Sequence, residues 1–438
     1  MLDIKFIREN KDKLKEAIAN KNIDLSLDEL LDVDAERVDM SQRIEELRSE
    51  RKQMNDLMQN VTEEQKSEII EKGRLIKNQI AQLETEYEEI KSKFDLLMAK
   101  IPTIPSLDTP VGKGESDNKE VLAWGEIPKF DFEPKTHIEL GKSLDILDLE
   151  RVTKVAGFRG YYVKNEGVLL MMGFMMYALK KMVEKGYMSM IPPTMIRNFA
   201  LFGSGYFEGK DYNSESDNIY QIGGTDEAEE GEPSKERKYL VGTAEPSLLA
   251  YYSGEVLDEG VLPLKMCGFS QCYRSEIGSY GKDTKGMYRV HEFMKVEQVV
   301  LAKADVEEAT KIQEEMIGIS KELHEDLGLP YRQLQICTGD MSAGKYRAFD
   351  LEAWMPGLNR WGETGSASNF LDWQARRLNV KYKSKDNKKQ YVYMLNNTAL
   401  ASPRTFIAIL ENYQQKDGSV KVPEALVPFV GKKVIMPR

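Results

Sequence analysis

Ile69, Ile76, Leu83, Ile90 and Leu97 stand at every seventh position, and Gly73, Ile80, Tyr87 and Phe94 follow the first four of them at a spacing of four. A repeat kept over this many heptads commits the segment to a helix that buries one seam against another helix. A looser seam precedes it through Met40, Ile44, Leu47, Met54, Met58 and Val61, interrupted by Arg51. Between the two, Thr62 lies three residues before Gln65, the capping-box spacing that restarts a helix. Residues 34–100 hold no proline and only Gly73 among glycines, so an antiparallel two-helix coiled coil over about 34–100 is predicted. On periodicity alone, a dimerising coiled coil is an equal reading.

Pro102, Pro105 and Pro110, with Gly112 and Gly114, then end the helix and form a linker. They set an N-terminal domain of 1–112 against a second domain of 113–438. The second mixes short β-branched runs with helical ones: a helix at Phe174–Lys185, a buried strand at Val290–Leu301, an amphipathic helix at Asp305–Leu327 and another helix at Thr405–Tyr413. The expected class is α+β, an antiparallel sheet flanked by helices. Asp211 to Arg237, rich in Asp, Glu, Ser and Gly, reads as an acidic surface-loop insertion.

A chain of 438 residues exceeds one ordinary core. Its net charge of −11 does not by itself suggest a nucleic-acid partner, but local field rather than the total steers a polyanion. No apolar run approaches the ~20 residues of a membrane span; Leu169 to Met176 reads as part of a buried helix, and the first residues lack a signal-peptide layout. Three cysteines, Cys267, Cys272 and Cys337, make no disulfide framework and point to a reducing cytoplasm.

Generic nucleotide signatures fail. Gly141-Lys142-Ser143 lacks the glycine a phosphate loop needs at position 136, and Gly203-Ser204-Gly205 is followed by Glu208 where a dinucleotide fingerprint needs glycine. Lys383-Ser384-Lys385 resembles a loop of one class of synthetases but lacks that class's paired histidines. The informative block runs from Cys272 through Arg274, Ser275 and Glu276 to Gly281, and resumes from Met287 to Glu297. It reads as a β-hairpin with a long loop. Period-two alternation aims Arg274 and Glu276 into one cleft and puts His291, Phe293, Lys295 and Glu297 on one face. A guanidinium for phosphate, a carboxylate for the adenine amino group and an aromatic plate together suit ATP.

These residues resemble motif 2 of the class II aminoacyl-tRNA synthetases in its seryl form, and the likeness covers essentially the whole chain. Gly242-Thr243-Ala244-Glu245 is similar to the element that holds the serine amino group. Glu363-Thr364-Gly365-Ser366, followed by the run Asp372 to Arg377, resembles the family's metal and phosphate segment. Asn396 to Arg404 resembles motif 3, and Gly186 to Pro193 the dimer-forming motif 1.

The resemblance implies that Arg274, Ser275, Glu276, Val290, Phe293, Glu363, Thr364, Gly365, Ser366 and Arg404 bind ATP. It places Thr243, Ala244, Glu245, Arg274, Glu297 and Thr398 at serine, with Glu297 on the serine hydroxyl. Glu363 and Ser366 hold Mg²⁺, while Arg274, Glu276 and Arg404 carry the catalysis. The family's activity is seryl-adenylate formation with release of pyrophosphate, then transfer of serine to tRNA(Ser), and to tRNA(Sec) where an organism has it. The arm grips the tRNA, and the family is homodimeric, cytoplasmic and not membrane-bound. Five positions depart from the family: Gly365 for a serine, Asn397-Thr398 for Gly-Ser, and Ser402-Pro403 before Arg404 where a glycine is commoner, which directs attention to serine specificity. Two other readings stand beside this one, a synthetase-like paralogue that loads a carrier protein and a non-catalytic nucleotide-binding coiled-coil dimer.

Overall fold

A computed structural model describes residues 2–57, 63–207, 212–214, 217–223, 237–277 and 285–438. Thr62, and with it the expected capping pair, lies outside these residues, as do Met58 and Val61. The chain divides into two compact units, one of residues 2–19 and 23–102, the other of 20–22 and 103–438. The division falls at Pro102 rather than near 112, because the proline-rich stretch belongs to the larger unit: Thr103 N donates to Ala343 O and Ser106 N to Tyr346 O, each at 2.9 Å.

In the smaller unit, α1 (Leu27–Leu57) and α2 (Glu63–Lys100) form the hairpin. Their antiparallel sense is recorded by ion pairs of Glu29 with Lys93 at 2.8 Å and Arg48 with Glu84 at 2.7 Å. The seam holds as read, with Ile44, Ile76 and Ile80 buried and its other described members half-buried, while Arg51 is exposed. Each fully buried aliphatic side chain contributes roughly 1.5–3 kcal/mol. The helix begins seven residues earlier than the expected Asp34, because the Ser26 hydroxyl accepts from Glu29 N at 3.2 Å and caps it. Asp34 is itself buried, paired with Arg8 and, at 2.8 Å, with Arg37.

The larger unit is built on an eight-stranded sheet of β1 (Lys119–Trp124), β2 (Met188–Met190), β3 (Leu264–Tyr273), β4 (Glu292–Ala302), β5 (Tyr331–Gln335), β6 (Arg347–Met355), β7 (Arg360–Asn369) and β8 (Tyr393–Ala401). Its order is β1-β5-β6-β7-β8-β4-β3-β2, antiparallel throughout except that β2 runs parallel to β3. Four helices matter for the site: α3 (Glu166–Glu184), α4 (Glu245–Ala250), α5 (Val306–Asp326) and α6 (Ser402–Asn412).

Asp305 caps α5 by accepting from Glu308 N, and Ala309, Ile312, Met316, Ile319 and Leu323 recur at helical spacing to bury one face. That face lies on the sheet, where Gln298 donates to Met316 O at 3.4 Å and Asn397 donates to Met316 O at 2.9 Å and to the Ser320 hydroxyl at 2.8 Å. Strand alternation then sends Glu297, Asn396 and Thr398 to the opposite face. Asn397 therefore points away from the site, so this departure does not touch the substrate pocket.

Three further expectations change. The strand of the hairpin begins at Glu292, paired with Tyr273, so Arg274 to Glu276 lie beyond the ladder and strand alternation does not place them. The helix expected from Phe174 starts at Glu166, and the run Leu169–Met176 is not wholly buried, since Leu169, Met172 and Met176 are exposed. The segment from Asp211 is not one loop: Asp217 and Ile219 are buried, Tyr220–Gln221 forms a strand, and Tyr212 packs against Phe207 and Tyr239. Residues 224–236 of the acidic stretch lie outside those described.

Candidate active site

A cleft of the larger unit is lined by Arg274, Glu276, Val290, Phe293, Glu363 and Arg404, all expected at the nucleotide, and by Tyr288, Arg289, Lys295 and Thr398. Arg274 donates from Nε to Gly242 O at 3.2 Å, and its guanidinium stands 5.3 Å from the centre of the Phe293 ring. Arg404 donates to the carbonyl of Glu363 at 2.8 Å and to its Oε2 at 2.9 Å, and stacks 4.4 Å from the Tyr288 ring centre. Two guanidiniums, each beside an aromatic ring, suit a planar base and a chain of phosphates.

Glu276 reaches the cleft by a left-handed backbone, φ 56°, rather than by alternation. Its amide donates to Oδ1 of Asn218 at 2.5 Å, and the Ser275 hydroxyl reaches the same oxygen at 3.2 Å. Ser275 thus turns its hydroxyl to Asn218 and is not among the residues that line the cleft. The Glu276 carboxylate accepts from Arg289 at 2.7 Å.

Against this cleft sits a buried polar cluster. Glu297 lies 2.7 Å from the Lys295 ammonium and accepts from the Thr398 hydroxyl at 3.2 Å. Glu245 Oε1 accepts from Gln374 Nε2 and from Asn396 Nδ2, each at 2.7 Å. Burial first, and the neighbouring Glu297 second, push the Glu245 carboxyl up to about 7. Among the described residues the buried Thr243 hydroxyl has no hydrogen-bond partner. Ala244, in contrast, turns its methyl into the core beside Leu248 and Met266, so only its backbone is available to a ligand.

Glu363 and Ser366 are three residues apart and would face opposite ways on a regular strand. A β-bulge in the β6–β7 ladder corrects this. Leu351 pairs with Gly365 but Glu352 with Glu363, which leaves Thr364 as an extra residue. Paired residues share a face, so Glu363 lies with Glu352 and Ser366 with Asp350, all on one side. Thr364 turns the other way: its hydroxyl meets His324 Nε2 of α5 at 2.8 Å, while His324 Nδ1 donates to Ser320 O at 2.8 Å. Thr364 therefore offers the cleft backbone only. A carboxylate and a hydroxyl on one face are hard oxygen donors, the set that suits Mg²⁺ when phosphates complete it. Among the described residues no group of three or more His, Cys, Asp or Glu forms a metal cage. Gly365 lines the cleft, and a Cβ there would come within 3.1 Å of Thr398 O, so the glycine leaves room beside the threonine.

Several residues escaped the sequence reading. Asp350 lies beside Ser366, and burial followed by the Glu363 charge pushes its carboxyl well up. Lys295 shared the right face of its strand but was given no task. Gln374 stands in the run Asp372 to Arg377 and Asn396 opens the motif 3 segment, so both were within quoted motifs. Asn218 stands inside the Asp211–Arg237 stretch read as a surface loop and carries no signal of its own.

Comparison with known proteins gives a consistent result. A family model described as the seryl-tRNA synthetase N-terminal domain matches residues 1–105, and one for the tRNA synthetase class II core domain (G, H, P, S and T) matches 227–413. A serine–tRNA ligase of Treponema denticola is 41% identical over 434 residues, covering 98% of this chain and 99% of that protein. One of Deinococcus radiodurans is 39% identical, covering 100% and 99%. Among solved structures, seryl-tRNA synthetase from Pyrococcus horikoshii complexed with ATP superposes with a TM-score of 0.88 at 37% identity, over 100% of both chains. Cytoplasmic serine–tRNA ligase from Naegleria fowleri in complex with AMP gives 0.83 at 30% identity, over 100% of this chain and 99% of that one.

Proposed function

The chain belongs to the seryl-tRNA synthetases, and from that premise we propose how its residues divide the work of activating serine with ATP and passing it to tRNA. The observation that carries this reading is the position of Thr398, which lines the nucleotide cleft and also bonds Glu297 in the buried cluster behind it. The two substrates of one condensation need to meet at such a junction.

Phe293 and Glu276 take the adenine, and Arg404 the terminal phosphate. Arg274, facing both compartments, holds the serine carboxylate against the α-phosphate. Thr243 and Glu245 take the serine ammonium, and Glu297 its hydroxyl. The carboxylate attacks the α-phosphorus in line and pyrophosphate leaves. The nucleophile is already an anion, so alignment and charge neutralisation supply the acceleration. Mg²⁺, held by Glu363 and Ser366, neutralises phosphate charge when bound. The terminal ribose hydroxyl of the tRNA then attacks the activated carbonyl and AMP leaves. Alanine and glycine are refused because they leave the buried Glu297 without its donor, and such an unmet acceptor discriminates by roughly 10⁴ to 10⁵ in favourable sites.

The N-terminal unit is the tRNA-binding arm, and 103–438 the catalytic body. A homodimer is supported by an apolar stripe on α3, where Leu169, Met172 and Met176 are exposed, continuing to Met188 and Ile191 by the motif 1 segment. A cytoplasmic setting agrees with three free buried cysteines.

The test is serine-dependent ATP–pyrophosphate exchange beside serine charging of tRNA, both followed as KCl is raised. Shape-reading contacts to phosphate weaken steeply with salt, so charging should fall while exchange holds. Exchange with serine but no charging at any salt would favour the carrier-loading reading, and nucleotide binding without exchange the non-catalytic one.

A further inference from the structure

The amide groups of Gln374 and Asn396 converge on a single oxygen of Glu245. Gln374 is fully buried, and its Nε2 is held between the Ser204 carbonyl at 2.9 Å and Glu245 Oε1 at 2.7 Å. Both of its neighbours are acceptors, so the nitrogen is the atom that must face them, and both of its protons are used. Asn396, 6% exposed, comes from β8 and donates to the same Oε1 at 2.7 Å. Oε2 of Glu245 takes no hydrogen bond among the described residues. A carboxylate with one oxygen tied by two donors has a fixed plane, and the free oxygen is its only open acceptor.

We propose that Gln374 and Asn396 are positioning residues for the substrate amine, acting together to select which oxygen of Glu245 is presented to the serine ammonium. This rests on the reading that Glu245 holds that ammonium. Position matters here because the acid stands among groups of both signs. Glu297 lies near it and opposes its charge, while Lys295 and Lys345 favour it. A carboxylate free to rotate would turn toward Lys295, which already serves Glu297 and Thr398. The two amides come from separate elements, the short helix Trp373–Leu378 and β8. They therefore hold Glu245 from two directions, as a rigid receptor requires.

The test uses the full-length protein and two serine analogues as competitors of exchange: serinamide, which keeps the ammonium and loses the carboxylate, and glycerate, which does the reverse. Q374L and N396S each remove one amide donor. Each should raise the serine KM and the serinamide Ki together by about 10- to 100-fold, the range for a lost hydrogen bond to a charged group. The glycerate Ki and the ATP KM should move less than about 3-fold. Equal losses for both analogues would overturn the proposal, because the amides would then only hold the pocket open. Unchanged serinamide binding in both variants would overturn it as well. E245Q separates the two levels: if E245Q weakens serinamide and the amide variants do not, the positioning role fails while Glu245 keeps its own. If E245Q leaves serinamide untouched, the underlying assignment of Glu245 is wrong. N396S, on a strand held by both neighbours, carries the same test if Q374L does not fold.

Discussion

The ammonium of Lys295 lies 2.7 Å from Oε2 of Glu297, two positions along the same strand, and the two residues are 5% and 2% exposed. This pair means that removing Glu297 does two things at once. Truncating one member of a buried ion pair leaves the other uncompensated, at a cost of roughly 3–5 kcal/mol. E297A should therefore both lower the melting temperature and raise the serine KM. E297Q, which keeps the shape and an acceptor oxygen, should retain most of the stability. Its serine KM should still rise about 10- to 100-fold with little change for ATP. Unchanged serine kinetics in E297Q would remove Glu297 from the site.

Glu245 sets a pH dependence. Its carboxyl is pushed from 4.5 up to about 7 in the folded chain, by burial and then by Glu297, against the Gln374 hydrogen bond and the lysines at 295 and 345. A folded value above the unfolded one gives stability that is full below pH ~4.5 and lost as pH rises through ~7. Serine binding runs the opposite way, since the ammonium needs the carboxylate. The kcat/KM for serine should fall as pH drops below about 7, and E245Q should lack that limb. A limb of the same midpoint in E245Q would assign it to another group.

Asn218 is expected to support ATP rather than serine. Its Oδ1 accepts from Glu276 N and the Ser275 hydroxyl and so stabilises a glutamate in left-handed backbone. N218A should raise the ATP KM roughly 5- to 30-fold, for a loss of about 1–2 kcal/mol, and leave the serine KM near its starting value. An effect on serine as large as that on ATP would contradict this assignment.

His324 links the bulge to acid stability. Burial holds it down to about 4, against an ordinary 6.5, so it is neutral where its Nε2 accepts from Thr364. A folded value below the unfolded one gives stability present above pH ~6.5 and lost as pH falls toward ~4. In H324Q, which has no titrating ring, melting temperature should fall less over that interval than in the parent. Parallel curves would mean that His324 does not report this transition.

What could be read from the chain and what could not follow a physical line. The arm was legible because a heptad seam is a local property, visible in Ile76 and Ile80 without knowledge of the rest. The start of α1 was missed because Asp34 looks like a boundary residue, and only Arg8 and Arg37 explain its burial inside a helix. Arg274, Glu276, Phe293, Glu363 and Arg404 do converge on one cleft, although Glu276 arrives by a positive φ that sequence spacing does not reveal. Gln374 and Asn396 stood within recognised runs, yet their shared contact on Glu245 joins residues far apart in the chain. Asn397 was grouped with the substrate because it adjoins Thr398, whereas one step along a strand is a change of side.

The extra residue at Thr364 makes segment length, rather than any side chain, the quantity under constraint in β7. Deleting one residue between Glu363 and Ser366 would leave a strand free to pair evenly with β6, and Leu351 and Glu352 would find regular partners. The protein so shortened could melt at a higher temperature than its parent and still be inert, because one of the two oxygen donors would have been turned toward α5. If Glu363 and Ser366 act together as proposed, the imperfect ladder is what this strand needs, and an indel that mends it should abolish the chemistry.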